Sequence, residues 1–285
     1  MHHTITLNTG ARMPLIGFGT YLINDHEVCE RSVAQALEAG YRLIDTAQFY
    51  GNEAAVGRAI KNSGIPREEL FITTKLWHTD TGDAKTRPAF EASLKRLGLD
   101  YVDLYLIHHP YGDIYGSWRV MEKLFHEGLA KAIGLSNFYP DRLQDLILHH
   151  DVPPAVNQLE THIYHQRQDA RALMAEHNIA LMAWGPFSQG KTDLLENATL
   201  KEIAAKHGKS TAQAALRFLL QQNIAVIPKS THQNRIKENI DIFDFTLTDE
   251  EMTALTALDT KKSAGLPHDD PANVKRIVGF VNPLS

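Results

Sequence analysis

The chain has 285 residues, of which 43% are hydrophobic and 22% are charged, and its formal net charge is -5 at pH 7. This balance is typical of a soluble globular enzyme, and it argues against a nucleic-acid-binding protein, which needs a concentrated basic face. A length of 285 residues suits either two average domains or one α/β barrel.

Cysteine usage and the N-terminus bear on the cell compartment. Cys29 is the single cysteine, so no internal disulfide and no oxidising compartment is implied. The first residues lack a basic segment followed by an apolar run, which argues against a signal peptide. No uninterrupted apolar stretch is long enough to cross a bilayer. We therefore expect a cytoplasmic protein without a membrane partner.

The chain opens with a predicted hairpin. Residues 4–13 carry Asn8, Thr9 and Gly10 at their centre, and this turn chemistry favours two short antiparallel strands.

Eight short apolar runs follow at regular spacing along the chain. Several of them are continuous rather than alternating, which is typical of parallel strands buried on both faces. The predicted strands are residues 15–20, 42–46, 70–75, 102–108, 131–136, 155–160, 180–184 and 224–229.

Helical patterns separate these runs. Residues 28–38, 201–206 and 211–220 have the apolar content expected of buried helix faces. The predicted N-caps are Asp25 and Thr211, and the predicted helix stops are Gly40, Gly98, Gly128 and Gly208.

Eight strand-helix units predict an α/β fold, namely a closed (β/α)8 TIM barrel behind the N-terminal β-hairpin, with residues 1–285 as a single domain. An open doubly wound sheet is the alternative. It is disfavoured because no Gly-x-Gly-x-x-Gly motif follows a strand.

In such a barrel the active site forms at the carboxyl ends of the strands, where Asp45, Tyr50, Lys75 and His108 are candidates. Taken singly, each has an ordinary structural role, as a turn cap, a rim aromatic, a solvated charge or a core histidine. Taken together they suggest chemistry, because a buried Lys beside Asp is costly unless it is paired. A Lys ammonium beside a phenol favours the phenolate, so we expect Lys75 to lower the pKa of Tyr50.

Three separated sequence strings carry a resemblance to a known family. They are GYRLIDTA at residues 40–47 with YGNE at 50–53, IGLSNF at 133–138, and IPKS at 227–230 continuing to Arg235. The chain resembles the aldo-keto reductase superfamily over residues 13–258. The run AWGP at residues 183–186 and the short tail are most similar to the bacterial 2,5-diketo-D-gluconate reductase group.

The resemblance implies a catalytic tetrad and a reaction. Tyr50 would protonate a carbonyl oxygen, Lys75 held by Asp45 would assist it, and His108 would orient the carbonyl by a hydrogen bond. The hydride would come from NADPH, because no side chain can supply one. The expected activity is NADPH-dependent reduction of aldehydes or ketones, such as small aldehydes, dicarbonyls and keto sugars, to alcohols.

The resemblance also implies cofactor contacts. They include the carboxamide, the nicotinamide ring, the pyrophosphate, the 2′-phosphate and the adenine. The implied residues are Gly19, Thr20, Ser136, Asn137, Gln158, Trp184, Gly185, Phe187, Gln189, Lys229, Ser230, Arg235, Glu238 and Asn239. Trp184 stands where many relatives have Tyr, and it keeps a flat π surface. His232 stands where some relatives have a basic residue, which would weaken the preference for NADPH.

The implied substrate contacts are Tyr21, Trp77, His108 and His109. Relatives commonly carry Trp where this chain has His109, so its pocket is expected to be more polar. His162 and His165 follow the sixth predicted strand, and we expect them to be solvated loop residues.

Two alternatives stay open. A metal-dependent hydrolase could draw ligands from Asp45, His108, His109, His162 and His165, but strand one ends in Gly-Phe-Gly-Thr and offers no ligand there. A cofactor-binding regulatory protein without significant turnover is the second alternative. The preferred expectation is a monomeric enzyme with a small carbonyl substrate, no metal and no nucleic-acid partner, and with the polar tail at residues 261–285 near the barrel mouth.

Overall fold

The chain begins with the expected hairpin in the computed structural model, which describes residues 3–280. Strand β1 (Thr4–Thr6) pairs antiparallel with β2 (Arg12–Pro14). Gly10 turns the chain with φ of 84°, a conformation that glycine adopts without a steric cost. Of the predicted tail, residues 281–285 lie outside the described residues.

Eight parallel strands then form the predicted barrel, each hydrogen-bonded to the next in chain order. The order closes where Ile16 bridges Val226 in parallel and the Val226 amide donates to the Leu15 carbonyl. The strands are β3 (Gly17–Gly19), β4 (Leu43–Asp45), β5 (Phe71–Leu76), β6 (Leu104–Ile107), β7 (Ile133–Ser136), β8 (Val156–Glu160), β9 (Ala180–Trp184) and β10 (Ala225–Val226).

Several strands are shorter than the predicted runs, and β10 shows why. Pro228 lacks an amide hydrogen and cannot continue the ladder as a donor. Its carbonyl still accepts from the Gly19 amide, and the Ile227 amide still donates to the Ala183 carbonyl. The chain after β10 therefore remains hydrogen-bonded to β3 and β9, and this places Lys229 at the barrel mouth.

Helices cover the outside of the barrel, and the three predicted ones are present. The helices are α1 (His26–Glu38), α2 (Glu53–Asn62), α3 (Thr86–Leu97), α4 (Ile114–His126), α5 (Pro140–Leu148), α6 (Gln168–Glu176), α7 (Ala198–Lys206), α8 (Thr211–Leu220), α9 (Gln233–Ile240), α10 (Asp249–Thr256) and α11 (Pro271–Val278). Among residues 3–280, none is long and apolar enough to cross a membrane.

The helix ends follow the predicted chemistry with one correction. The Asp25 side chain caps α1 as expected, accepting from the Val28 amide. Thr211 is not the cap of α8 but its first residue. Ser210 caps the helix instead, in a capping box with Gln213, because a serine one position earlier aligns its hydroxyl with the third helical amide.

The predicted helix stops have the backbone that glycine favours. Gly40, Gly98, Gly128 and Gly208 all adopt positive φ at or just after helix ends.

Two apolar layers position the site. One layer lies between the strands and the helices, and the other fills the barrel interior with side chains such as Leu43, Leu104 and Leu106. Leu7 and Met13 of the N-terminal hairpin segment join the interior layer. The hairpin therefore packs against the barrel core, and the polar side chains that end the strands lie at the opposite mouth.

Candidate active site

Four predicted side chains meet at the mouth of the barrel. Asp45 is the last residue of β4, Lys75 lies in β5, and His108 directly follows β6. Tyr50 lies on a short 3-10 helix, Gln48–Tyr50, which follows β4 in the chain. The Lys75 Nζ atom is 2.6 Å from Asp45 Oδ1, 2.9 Å from the Thr46 carbonyl and 3.4 Å from the Tyr50 hydroxyl. A fully buried ammonium therefore joins a carboxylate to a phenol.

Asp45 uses both of its carboxylate oxygens. Oδ1 accepts from Lys75, and Oδ2 accepts from the Gln158 amide nitrogen at 2.7 Å. Gln158 is one of the predicted carboxamide contacts, and its amide nitrogen is held by Asp45 and the Met182 sulfur. Gln158 therefore fixes the carboxylate that holds Lys75 in place.

The pKa of Tyr50 contradicts the expectation from its lysine neighbour. Burial raises the pKa of Tyr50 well above its ordinary value, and electrostatic interactions with Asp45 and Tyr21 add to the rise. Burial lowers the pKa of Lys75, against the opposing effect of Asp45. The expected lowering was wrong because loss of solvent outweighs the ammonium, whose charge is balanced by Asp45. Tyr50 is thus a phenol that keeps its proton.

His108 is held as a neutral ring beside Tyr50. The two ring centroids are 5.6 Å apart in an edge-to-face arrangement. Burial lowers the pKa of His108 well below its ordinary value, and the neighbouring His109 and Lys75 lower it further. A neutral imidazole carries one N–H donor, which suits a hydrogen bond to a carbonyl oxygen.

Trp184 and Asn137 form a rigid wall on another side of the cleft. The Trp184 indole nitrogen donates to Asn137 Oδ1 at 2.9 Å. The Asn137 amide nitrogen donates to the His108 carbonyl at 3.0 Å and to Ser136 Oγ at 3.1 Å. Three predicted cofactor contacts are therefore linked in one network that also fixes the backbone of His108.

A cleft of about 590 Å³ joins these groups. The predicted residues that line it are Gly19, Tyr21, Asp45, Tyr50, Trp77, His108, His109, Ser136, Asn137, Gln158, Trp184, Gly185, Phe187, Gln189, Lys229 and Arg235. The predicted residues outside the lining are Thr20, Lys75, Ser230, Glu238 and Asn239. Lys75 lies beneath Tyr50, and the Thr20 hydroxyl donates to the Asp45 carbonyl.

Lys229 and Arg235 bring positive charge to the cleft. Both side chains are exposed, and neither forms an ion pair with any residue between 3 and 280. By contrast, Lys75 and Arg96 are matched by carboxylates within 2.6 Å. Two unpaired cations lining one cleft suit an anionic group such as a phosphate.

The tail lies near the barrel mouth as expected, but the sequence analysis identified none of the tail residues that line the cleft. Residues 263–280 bring five further side chains or backbones to the cleft, namely Gly265, Leu266, His268, Ile277 and Phe280. The sequence signal for these positions was weak, since the segment is polar and carries no recognisable motif. Phe49 was also missed, although it stacks on Trp77 with ring centroids 3.8 Å apart.

Glu160 attaches this segment to the barrel. It ends β8 and accepts hydrogen bonds from the amides of Ala264 and Gly265 and from the Ser263 hydroxyl. Burial alone would raise the pKa of Glu160, but hydrogen bonds from His162, Ser263 and Ala264 outweigh it and hold the pKa at about 2. Gly265 needs to lack a side chain, because a Cβ there would lie 2.9 Å from the Trp184 ring.

The expectation of solvated loop histidines was wrong for His162. Its side chain is fully buried and its Nε2 atom lies 3.1 Å from Glu160 Oε1. The Glu160 carboxylate, which binds the C-terminal segment, also binds the His162 ring. No sequence pattern around His162 indicates this contact. His165 is partly exposed.

The metal-hydrolase alternative requires a ligand cluster. In the described part of the chain, no group of three or more His, Cys, Asp or Glu side chains is placed to hold a metal ion.

Comparisons with known proteins find relatives over most of the chain. The model of the aldo/keto reductase family matches residues 15–260. A 9,11-endoperoxide prostaglandin H2 reductase of Trypanosoma cruzi is 44% identical over 274 residues, which cover 95% of this chain and 96% of that protein. A glyoxal reductase of Bacillus subtilis is 46% identical over 268 residues, covering 94% and 96%.

Solved structures extend the likeness to three dimensions. An aldo-keto reductase enzyme from a Medee basin deep-sea metagenome library has a TM-score of 0.92 at 46% identity, covering 94% of this chain and 99% of that one. An aldo/keto reductase from Brucella melitensis has a TM-score of 0.86 at 48% identity, covering 91% and 100%. These relatives do not test the likeness to the 2,5-diketo-D-gluconate reductase group, which stays a prediction.

Proposed function

Since the chain belongs to the aldo/keto reductase family of oxidoreductases, we propose that it reduces aldehydes or ketones to alcohols with NADPH and with Tyr50 as the proton donor. The substrates we propose are small aldehydes, dicarbonyls and keto sugars. The observation that carries the proposal is the buried ammonium of Lys75, which lies 2.6 Å from Asp45 and 3.4 Å from the Tyr50 hydroxyl at the base of the cleft.

The residues of the cleft suit NADPH. When bound, NADPH supplies the hydride that reduces the carbonyl carbon. Lys229 and Arg235, which lack carboxylate partners among residues 3–280, would hold the 2′-phosphate with Ser230. The flat ring of Trp184 would face the nicotinamide, and Ser136, Asn137 and Gln158 would hold its carboxamide. The chain from Gly185 to Gly190 would cover the pyrophosphate.

Residues of the chain supply the one proton that the reduction requires. The Tyr50 hydroxyl donates its proton to the substrate oxygen as negative charge develops there, and the phenolate that forms is stabilised by Lys75. Asp45 keeps Lys75 in place and in its charged state. Neutral His108 donates a hydrogen bond that orients the same oxygen before the transfer.

The direct test is turnover of a small panel of carbonyl compounds, followed by loss of the absorbance of reduced nicotinamide, with NADPH and NADH in parallel. Faster turnover with NADPH is the expected result. Tight NADPH binding without reduction of any compound would instead favour the cofactor-binding regulatory alternative.

Replacing Arg235 by alanine should weaken NADPH more than NADH, because NADH lacks the 2′-phosphate. A hydrogen bond to a charged group contributes about 1.5–3 kcal/mol, so the KM for NADPH should rise roughly tenfold or more. Steady-state kinetics with both cofactors measure the difference. Lys237→Ala removes an exposed cation from the same helix and serves as the control. An equal change with NADPH and NADH would contradict the assignment of the phosphate site.

We also propose that the enzyme acts as a monomer in the cytoplasm. Sedimentation velocity at several protein concentrations tests the monomeric state, and a concentration-dependent second species would contradict it.

A further inference from the structure

Asn52 is a fully buried residue two positions after Tyr50. It stands at the N-cap of α2, where an asparagine usually accepts a hydrogen bond from the second or third amide of the helix. Within residues 3–280 its side chain makes no such capping bond. The N-terminus of α2 therefore does not account for the Asn52 amide.

The Asn52 side chain instead joins two other segments at the barrel mouth. Its Nδ2 atom donates to the Thr20 carbonyl at 2.9 Å and to the Ile23 carbonyl at 3.2 Å. Its Oδ1 atom accepts from the Thr46 hydroxyl at 2.9 Å. Because the two carbonyls can only accept, they fix which end of the amide faces them, and the Thr46 hydroxyl must donate to the other end.

The loop of residues 20–23, which Asn52 binds at both ends, carries strain beside Tyr50. Leu22 has φ of 61°, a left-handed conformation that leucine seldom adopts. The neighbouring Tyr21 ring packs on the Tyr50 ring with centroids 5.0 Å apart. The Tyr21 and Leu22 side chains are 42% and 61% exposed, so their packing gives the loop little support. Strained backbone persists only where its surroundings hold it, and the Asn52 bonds supply that hold.

The third bond of Asn52 acts on Lys75. The Thr46 carbonyl accepts from the Lys75 Nζ atom at 2.9 Å, and it is one of three groups that bind this ammonium, with Asp45 and Tyr50. Thr46 is fully buried, so its hydroxyl depends on a protein partner. The Asn52 amide therefore connects the segment that bears Tyr50 to a group that holds Lys75.

We propose that Asn52 is a positioning residue for the proton transfer, which holds Tyr21 against Tyr50 and, through Thr46, keeps Lys75 in place. This inference rests on the proposed reductase function and adds to it a residue outside the lining of the cleft. Asn52 acts through the groups it binds. A misplacement of about 1 Å at reacting groups can lower a rate by roughly a hundredfold, so the geometry that Asn52 sets bears directly on kcat.

The central test is Asn52→Leu, which keeps a branched side chain but can neither donate nor accept. NADPH and methylglyoxal are the probes, and the compound that the wild type reduces fastest replaces methylglyoxal where methylglyoxal is not a substrate. We expect kcat to fall roughly tenfold to hundredfold. The dissociation constant of NADPH should stay close to that of the wild type, because Lys229 and Arg235 are unchanged.

Gln166 offers a matched control for loss of stability. It is also a buried amide, and its Nε2 atom donates to the carbonyls of Ile163, Leu255 and Thr256, away from the cleft lining. Gln166→Met should lower the temperature of thermal unfolding as Asn52→Leu does, while kcat stays at the wild-type value. Equal losses of kcat in the two variants would overturn the positioning role.

Leu22→Asn tests the hold on the loop, because asparagine adopts the left-handed conformation more readily than leucine. If Asn52 holds a strained loop, relief of the strain should matter more when Asn52 is absent. Leu22→Asn should therefore raise kcat by roughly threefold more in the Asn52→Leu background than in the wild type. The same factor in both backgrounds would overturn the hold on the loop.

Thr46→Val tests the connection to Lys75 and is the milder variant if Asn52→Leu does not fold. It keeps the carbonyl that binds Lys75 and removes the hydroxyl that binds Asn52. We expect kcat to fall by about threefold or more with NADPH binding retained. A wild-type kcat for Thr46→Val would overturn this connection.

The outcomes separate the two proposals. An active wild-type enzyme together with a folded Asn52→Leu variant of unchanged kcat overturns this inference alone. A folded wild-type protein that binds NADPH but reduces no compound of the panel overturns the reductase proposal and this inference with it.

Discussion

Replacing Tyr50 by phenylalanine is expected to lower kcat by about 10²- to 10⁴-fold, which is the usual contribution of a positioned general acid. The variant loses only the hydroxyl. Its ring can keep the contacts with Tyr21 and His108, whose centroids lie 5.0 Å and 5.6 Å from that of Tyr50. Lys75 keeps its bonds to Asp45 and the Thr46 carbonyl. Folding and NADPH binding should therefore stay close to the wild type.

Two measurements decide this prediction. Steady-state kinetics give kcat, and titration of protein fluorescence with NADPH gives the dissociation constant. Tyr101→Phe makes the same chemical change beside Arg67, before β6 at the opposite end of the barrel, and should leave kcat unchanged. A Tyr50→Phe variant that keeps its rate would show that the proton comes from another group. Equal loss of rate and NADPH binding would indicate a structural role for Tyr50.

Replacing Asp45 by alanine should remove both activity and stability. The Asp45 and Lys75 side chains are 2% and 0% exposed, so the variant leaves a buried ammonium without its counter-charge. Breaking a buried ion pair in this way costs about 3–5 kcal/mol of unfolding free energy. Lys75 would also lose the hydrogen bond from its ammonium to Asp45 that keeps it beside the Tyr50 hydroxyl, so kcat should fall. Chemical denaturation and steady-state kinetics measure the two effects.

A double variant separates stability from catalysis. Replacing a buried pair by apolar residues of similar volume is often neutral, so Asp45→Leu combined with Lys75→Met should regain much of the stability that Asp45→Ala loses. It should stay inactive, because no ammonium remains beside Tyr50. Asp83→Asn breaks an exposed pair of the same 2.6 Å length with Arg119 and should change little. Substantial turnover by the double variant would refute the role proposed for Lys75.

The sequence by itself determined the fold class and the proposed catalytic residues. Continuous apolar runs located all eight barrel strands, because strands buried on both faces must be apolar throughout. The first of the three strings located Asp45 and Tyr50, and the ends of the third and fourth predicted strands located Lys75 and His108. These features are local in the chain, since each depends on residues a few positions apart. The errors in local structure were small, such as the cap at Ser210 instead of Thr211.

Only the tertiary structure decided how the cleft is completed and which groups carry charge. Glu160 binds Ala264 across 104 positions, and His109 meets His268 across 159, distances at which no periodic pattern operates. The direction of the Tyr50 pKa shift also required the fold, because the sequence identifies a neighbouring lysine but not the loss of solvent around the phenol. Periodicity and motifs report near neighbours along the chain, whereas burial and long-range hydrogen bonds depend on where a distant segment packs.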